Sequence, residues 1–297
     1  MTIQRIYIPT HKGDLRLTAI CAASIRYWYP EIPILLIKDY SHGSFDTSEI
    51  ERLCNASIFQ TTKREFGWGF AKLEPLFESA GGRFLVVDSD TVFTGPVLDT
   101  LNQCDTDFVV DDETQPAHEI KRLYFDLDYL QKIDPDFKFS GKTFNSGQWV
   151  GTPGLVLRED FCQVLHWGNP PELKDPSFFM PGDQGILNYV LSKLAQQGTL
   201  SLGRIPLMLW AVRDIEQLDL EQLKDNSPYR KIIHWAGVNK QRLGAMPRAD
   251  ILRFFEQCYF SSMPLGPLKR RLRSSKNYVI GQTQRAVHKA ARLARVA

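Results

Sequence analysis

Phe84-Leu85-Val86-Val87-Asp88-Ser89-Asp90-Thr91-Val92-Phe93 decides the fold. An apolar, β-branched run ends abruptly in two carboxylates one residue apart. A short run of this kind reads as a buried strand of a parallel sheet. Ligands of open α/β sheets sit just beyond the carboxyl ends of such strands. Two hard oxygen donors placed there suit Mg²⁺ or Mn²⁺, and those ions in turn suit a diphosphate. The chain holds three other Asp-x-Asp triplets, and they serve as an internal control. Asp126/Asp128 and Asp134/Asp136 lie in polar, turn-like or helical surroundings, and Asp105/Asp107 precedes an apolar run. Only Asp88/Asp90 closes one; elsewhere the triplet reads as ordinary turn chemistry.

Outward from that strand, the pattern alternates between two periods. Ile3 to Ile8 reads as a first strand, with Pro9-Thr10-His11-Lys12-Gly13 as the loop after it. Asp14 to Trp28 suits a helix, Pro33 to Lys38 a second buried strand, and Asp46 to Cys54 and Phe70 to Ser79 two more helices. Asp107 to Asp112 is another strand ending in acids. Strands alternating with helices predict an α/β fold with a mostly parallel sheet. Right-handed crossovers then place the Thr10 loop and the Asp88 carboxylates on one edge. Residues 112–145 are mixed and polar and receive no assignment. Gln148 to Leu157 reads as a strand or hairpin, Gly182 to about Ala195 as a helix, Lys231 to Trp235 as a short strand, and 250–260 as a last helix.

The 297 residues, 43% of them hydrophobic, suffice for one large domain or a domain with an appendage. The five cysteines are scattered and form no C-x-x-C pair, which favours reduced thiols. The first residues lack the apolar core of a signal peptide, and no stretch approaches a membrane span. The net charge of +2 hides an asymmetry. Residues 268–297 hold nine Lys/Arg and no acid, which leaves 27 basic against 34 acidic groups in 1–267. The expected division is a globular domain over 1–264 and a basic tail over 265–297.

Six separated signatures resemble nucleotide-sugar glycosyltransferases of the GT-A fold, most closely family 8. That family includes glycogenin and bacterial galactosyl- and glucosyltransferases of lipopolysaccharide assembly. The signatures are Thr10 after the first strand, Phe70-Ala71-Lys72-Leu73, Val87-Asp88-Ser89-Asp90, Phe144-Asn145-Ser146-Gly147, Asp183-Gln184-Gly185-Ile186-Leu187-Asn188 and His234-Trp235-Ala236-Gly237-Val238-Asn239-Lys240. They follow the family's order and span residues 3 to 240. The resemblance implies a Rossmann-like, mostly parallel sheet flanked by helices. It implies a metal-dependent, retaining hexosyltransferase using a UDP-sugar, with a glycan or glycolipid acceptor in bacterial surface polysaccharide synthesis.

Each signature has a physical rationale beside the resemblance. A turn at the strand end brings Asp88 and Asp90 to one cation, and His234, ending another strand, completes the protein ligands. An imidazole beside carboxylates suits Mn²⁺ better than Mg²⁺; otherwise His234 is a satisfied core histidine. Gly237 permits close backbone approach, and Lys240 neutralises a phosphate as a point charge. Thr10, His11, Asp14, Lys72 and Ser89 join Gly237 and Lys240 as nucleotide-side candidates. Asn145 offers a donor and an acceptor to sugar hydroxyls, and Ser146 adds a hydroxyl. By resemblance, Asp111 or Asp112 binds a donor hydroxyl, Asp183 binds the donor sugar, and Gln184 faces the anomeric carbon. Asp183 also suits a helix cap.

Two departures from the family stand out. His11-Lys12 follow Thr10 where the family often has Asn then Asp, and Asn239-Lys240-Gln241 replaces the usual Lys-Pro-Trp ending. The competing enzyme class is a sugar-phosphate nucleotidyltransferase, whose first loop is usually Gly-rich; Pro9-Thr10-His11-Lys12-Gly13 is not. A nucleic-acid binder fits less well, since the basic residues are confined to the tail and no RNA-binding aromatic signature accompanies them. From Arg285 the tail reads as a helix with Val287, Ala290, Ala291 and Ala294 on one face. The expectation is a cytoplasmic protein held at the inner face of the membrane by anionic lipid.

Overall fold

The computed structural model describes residues 2–263 and 266, except 68, 80, 181, 226, 239–241 and 262. The strands are β1 Arg5–His11, β2 Ile34–Asp39, β3 Ala56–Ile58, β4 Phe84–Val87, β5 Thr91–Phe93, β6 Phe108–Asp111, β7 Gln148–Gly151, β8 Leu165–His166, β9 Glu172–Leu173, β10 Leu202–Ile205, β11 Met208–Trp210 and β12 Ile232–His234. Seven of them form one sheet in the order β10-β6-β7-β4-β1-β2-β3. All its pairs are parallel except those of β7, which runs against both β4 and β6.

The apolar runs follow from a sheet covered on both faces. Tyr7, Phe84, Val86, Phe108, Val110 and Trp149 pack under the helix Asp183–Gln196 on one side. Their neighbours Ile6, Ile8, Leu85, Val87, Val109 and Val150 pack under the helix Leu15–Trp28 on the other. A third cluster joins a small sheet, β11-β12-β5, to the helix Ala249–Ser261. The expected α/β architecture is therefore present, and β1 and β4 are parallel neighbours whose ends share an edge.

Three differences from the sequence reading have physical causes. β1 runs on through Pro9, Thr10 and His11, because β2 stays paired with it up to His11↔Asp39. Pairing with β4 ends at Tyr7, so Pro9 has a neighbour on one side only, where proline is tolerated. Residues Phe70–Phe77 form a 3-10 helix, entered through the left-handed Gly69 (φ 81°) and containing Pro75, which cannot donate an α-helical bond. The segment 112–145 holds two short helices, Ala117–Leu123 and Leu127–Ile133. The five cysteines are all free. Among the described residues no helix is long and apolar enough to cross a membrane. The expected tail, 265–297, lies outside the described residues except for Gly266.

Candidate active site

The backbone explains why two distant segments meet at Asp88–Asp90. β4 belongs to the main sheet, but after the Asp88-Ser89-Asp90 turn the chain leaves it, and β5 pairs antiparallel with β12. The register sets His234 opposite Thr91, and Trp235 N–H donates to the Asp90 carbonyl at 3.1 Å. His234 Nε2 consequently lies 3.2 Å from Asp90 Oδ1 and 3.6 Å from Asp88 Oδ2. One ligand atom from each of the three residues falls within 4.8 Å of the others. Asp90 and His234 are buried, while Asp88 remains partly open to solvent.

This donor set fits a divalent cation on two observations. Two carboxylates and a neutral imidazole are acceptable to Mn²⁺ and, less naturally, to Mg²⁺. The cradle is also shaped for the imidazole: a Cβ on Gly147 would lie 2.2 Å from His234 Cε1 and 2.6 Å from Nδ1. The same Gly147 carbonyl accepts the Asp88 N–H at 2.7 Å, so one residue holds both sides of the cluster. Trp210 stacks against the His234 ring, with ring centroids 6.3 Å apart and planes inclined by 13°. His234 Nδ1 is buried without a hydrogen-bond partner among the described residues. Packing by Gly147 and Trp210 thus orients the ring in place of the hydrogen bond that usually does so.

Beside the cluster stands a buried lysine. Lys72 Nζ lies 3.1 Å from Asp88 Oδ1 and 3.0 Å from Asp183 Oδ2, and donates to the Ser146 hydroxyl at 3.2 Å. Burial alone would lower Lys72, but Asp183 and Asp88 more than reverse that and raise it, so the ammonium persists. Two carboxylates share this one cation. The more deeply buried of them, Asp183, is raised by desolvation, with Lys72 opposing and Asp88 reinforcing the shift. Gly69 makes this approach possible, because a Cβ there would lie 2.2 Å from Asp183 Oδ1.

β7 runs opposite to its neighbours, so its N-terminal end, with Asn145-Ser146-Gly147 before it, lies at the carboxyl edge of β4. Asn145 Nδ2 donates to Gln184 Oε1 at 3.1 Å, and Gln184 Nε2 donates to the Leu123 carbonyl at 3.0 Å. The Gln184 amide is therefore fixed at both ends, at the N-terminal turn of the helix Asp183–Gln196. Asn188, one turn on, accepts the Phe144 N–H and donates to the Phe144 carbonyl, bolting that loop to the helix. Gly185 lets the helix approach the chain at Tyr124, whose carbonyl would lie 2.1 Å from a Cβ.

The first-loop candidates gather on the same edge. Asp14 Oδ2 accepts from the Ser89 hydroxyl at 3.1 Å and sits 2.9 Å from His11 Nε2. His11 Nδ1 accepts the Gly13 N–H at 3.1 Å, which marks Nε2 as the nitrogen facing Asp14. Thr10 is buried, its hydroxyl 2.7 Å from that of Thr18. Asp111 is buried and its Oδ1 accepts the Leu207 and Met208 N–H groups, while Asp112 is exposed and pairs with Lys142 at 2.7 Å. Burial is the larger influence on Asp111 and pushes it up. Gly237 has φ 70° with open space around it, a conformation that favours glycine. Lys240 lies outside the described residues.

Sequence reasoning missed Trp210 and Glu113. Buried Glu113 accepts from the Tyr124 hydroxyl at 2.7 Å and from Trp210 Nε1 at 3.2 Å. It thereby links the segment carrying the Gln184 support to the ring behind His234. No local pattern announces this, because the three partners come from three separated segments.

No protein-family model matches the chain, and no curated protein matches it in sequence. Solved structures do match. WbbM, a bifunctional glycosyltransferase, superposes with TM-score 0.58 at 14% identity, over 91% of this chain and 51% of that one. The galactosyltransferase LgtC, solved with donor and acceptor sugar analogues, gives 0.54 at 12% identity, over 86% and 95%. GlyE, a glycosyltransferase of Streptococcus pneumoniae, gives 0.52 at 13% identity, over 93% and 64%. The chain thus spans about half of WbbM but nearly all of LgtC. It has the GT-A glycosyltransferase fold, as the six signatures implied.

Proposed function

We propose that this protein is a metal-dependent, retaining glycosyltransferase that moves a hexose from a UDP-sugar to a glycan or glycolipid acceptor. The observation that carries the reading is the meeting of Asp88, Asp90 and His234 with the Lys72–Asp183 pair at one sheet edge. The glycosyltransferase fold supports it. Asp88, Asp90 and His234 would hold Mn²⁺, or Mg²⁺, and the ion supplies charge neutralisation to a departing diphosphate. Lys72 donates hydrogen bonds from an ammonium that Asp183 and Asp88 keep charged, with Asp183, Asn145 and Ser146 around the donor sugar. Asp111 or Asp112 contacts a donor hydroxyl. Gln184 faces the reacting carbon; an amide is a poor nucleophile, which favours attack from the leaving-group side over a covalent enzyme intermediate. The bond from the anomeric carbon to the diphosphate breaks, the bond to the acceptor oxygen forms, and the acceptor's proton passes to a diphosphate oxygen.

On the nucleotide side stand Thr10, His11, Asp14, Ser89, Gly237 and Lys240. The tail adds nine basic residues without an acid, each worth about 1 kcal/mol near an anionic leaflet, and would hold the enzyme at the inner membrane face. Full-length protein is expected to pellet with anionic and not neutral vesicles, while a chain ending at Gly266 stays in solution; equal pelleting of both would remove the anchor. The reading as a whole is tested by donor hydrolysis across a panel of nucleotide sugars with Mn²⁺, which needs no acceptor. Release of UDP from at least one UDP-hexose, abolished by chelator, is expected. Pyrophosphate-dependent turnover of a sugar 1-phosphate would favour the nucleotidyltransferase reading instead.

A further inference from the structure

We infer that a second ligand site, for a neutral saccharide, lies at the far end of the 3-10 helix that carries Lys72. A cleft of about 370 Å³ opens between that helix and the chain that follows β3, within the size range of small-molecule sites. Its walls include Gln60, Thr61, Thr62, Glu74, Phe77 and Arg158, and none of the cation or donor-sugar candidates lines it. Lys72 and Glu74 are two residues apart in one short helix, yet Lys72 serves the Asp88 cluster and Glu74 serves the cleft.

The chemistry of the walls selects the ligand. Glu74 is 94% buried, with 6% of its surface exposed, and its Oε2 takes Arg158 Nη2 at 2.8 Å. Glu74 Oε1 and Arg158 Nη1 are buried with no hydrogen-bond partner among the described residues. A buried acceptor and a buried donor left over on two paired side chains are costly unless something satisfies both. Adjacent hydroxyls of a sugar do so, since each hydroxyl both donates and accepts. Thr61, Thr62 and Gln60 add further hydroxyl and amide groups at the mouth. Phe77 supplies an apolar surface, with the Arg158 guanidinium 4.2 Å from its ring centre. Charge excludes the alternatives. Glu74 is matched by Arg158 and the neighbouring Glu78 by Arg5 at 3.3 Å, so neither an anion nor a cation gains from entering. An apolar ligand would leave the unpartnered atoms unsatisfied. If the protein builds glycans, as proposed above, the cleft holds a non-reacting part of the acceptor chain.

The test is saturation-transfer NMR with lactose, maltose, cellobiose and N,N′-diacetylchitobiose against the whole protein. At least one disaccharide is expected to bind wild type and Asp90→Asn alike. Arg158→Ala should weaken binding at least tenfold. Because that change strands Glu74, Thr62→Trp is the companion variant: it blocks the mouth from an exposed position and removes no buried group. It should weaken binding as much and leave donor hydrolysis unchanged. Wild-type binding by Thr62→Trp, loss of binding in Asp90→Asn, or no binding of any disaccharide to wild type would overturn the site. Saccharide binding in the expected pattern without any donor hydrolysis would sink the proposed function and leave this site standing.

Discussion

The two halves of the candidate site are built differently. Around Asp88, Asp90, His234, Lys72 and Asp183, every polar group but the partly open Asp88 is buried, and backbone register brings them together: β5 pairs with β12, and glycines at 69 and 147 permit contacts no other residue allows. Around His11, Asp14 and Ser89 the groups meet through side chains at a loop, and His11 is the most exposed of all, its side chain 40% open to solvent. In the first half, a side chain added at Gly69 or Gly147 would collide with Asp183 or His234. The second can exchange residues at little structural cost. The expectation is that chemistry resides in the rigid half and nucleotide choice in the open one, and His11 departs from the family pattern in the half that tolerates departure.

The largest effect that sharpens this contrast is expected at Gly147. Its replacement by Ala drives a methyl into His234 and should weaken Mn²⁺ binding by about 10–100-fold, the range seen when support of a metal ligand is lost. Electron paramagnetic resonance of titrated Mn²⁺ measures it, and unchanged affinity would mean that the imidazole is not a ligand. Gln184→Ala comes next. Both ends of its amide are fixed, so the loss should fall on kcat, by roughly 10²-fold, with UDP affinity within about twofold of wild type. A drop in UDP affinity equal to the drop in kcat would move Gln184 to the nucleotide side. The smallest effect is expected at His11→Ala. Melting temperature should hardly change, since surface substitutions usually stay within about 0.5 kcal/mol, while the preference among uridine, guanosine and adenosine diphosphates shifts. Unaltered preference would break the assignment of nucleotide choice to the open half.

What was legible in the sequence follows the same division between local and distant order. The strand before Asp88, the helix opened by Asp183-Gln184 and the strand ending at His234 each carry a short pattern of their own, and each stands within a residue or two of its expected place. The α/β architecture followed from their alternation. The 3-10 geometry of Phe70–Phe77 was masked by an apolar spacing that resembles an α-helix, although Pro75 inside it argues against one. The departure of β5 from the main sheet was hidden because nothing in Thr91-Val92-Phe93 distinguishes a strand that continues from one that changes partners. Glu113 and Trp210 were hidden for a related reason: their value lies in a bond between β11 and the segment after β6, about a hundred residues apart.

In the function proposed above, one cation held by Asp88, Asp90 and His234 recruits the diphosphate of the donor. Calorimetry of UDP binding to wild type and Asp90→Asn, each with Mn²⁺ and with excess chelator, tests it most directly. Asp90→Asn keeps the shape of the side chain and the backbone bond to Trp235, so the fold and its circular dichroism should be unchanged. Mn²⁺-dependent UDP binding is expected in wild type and none in the variant. Equal UDP affinity in chelator, or an Asp90→Asn protein that binds UDP with Mn²⁺ as wild type does, would contradict it.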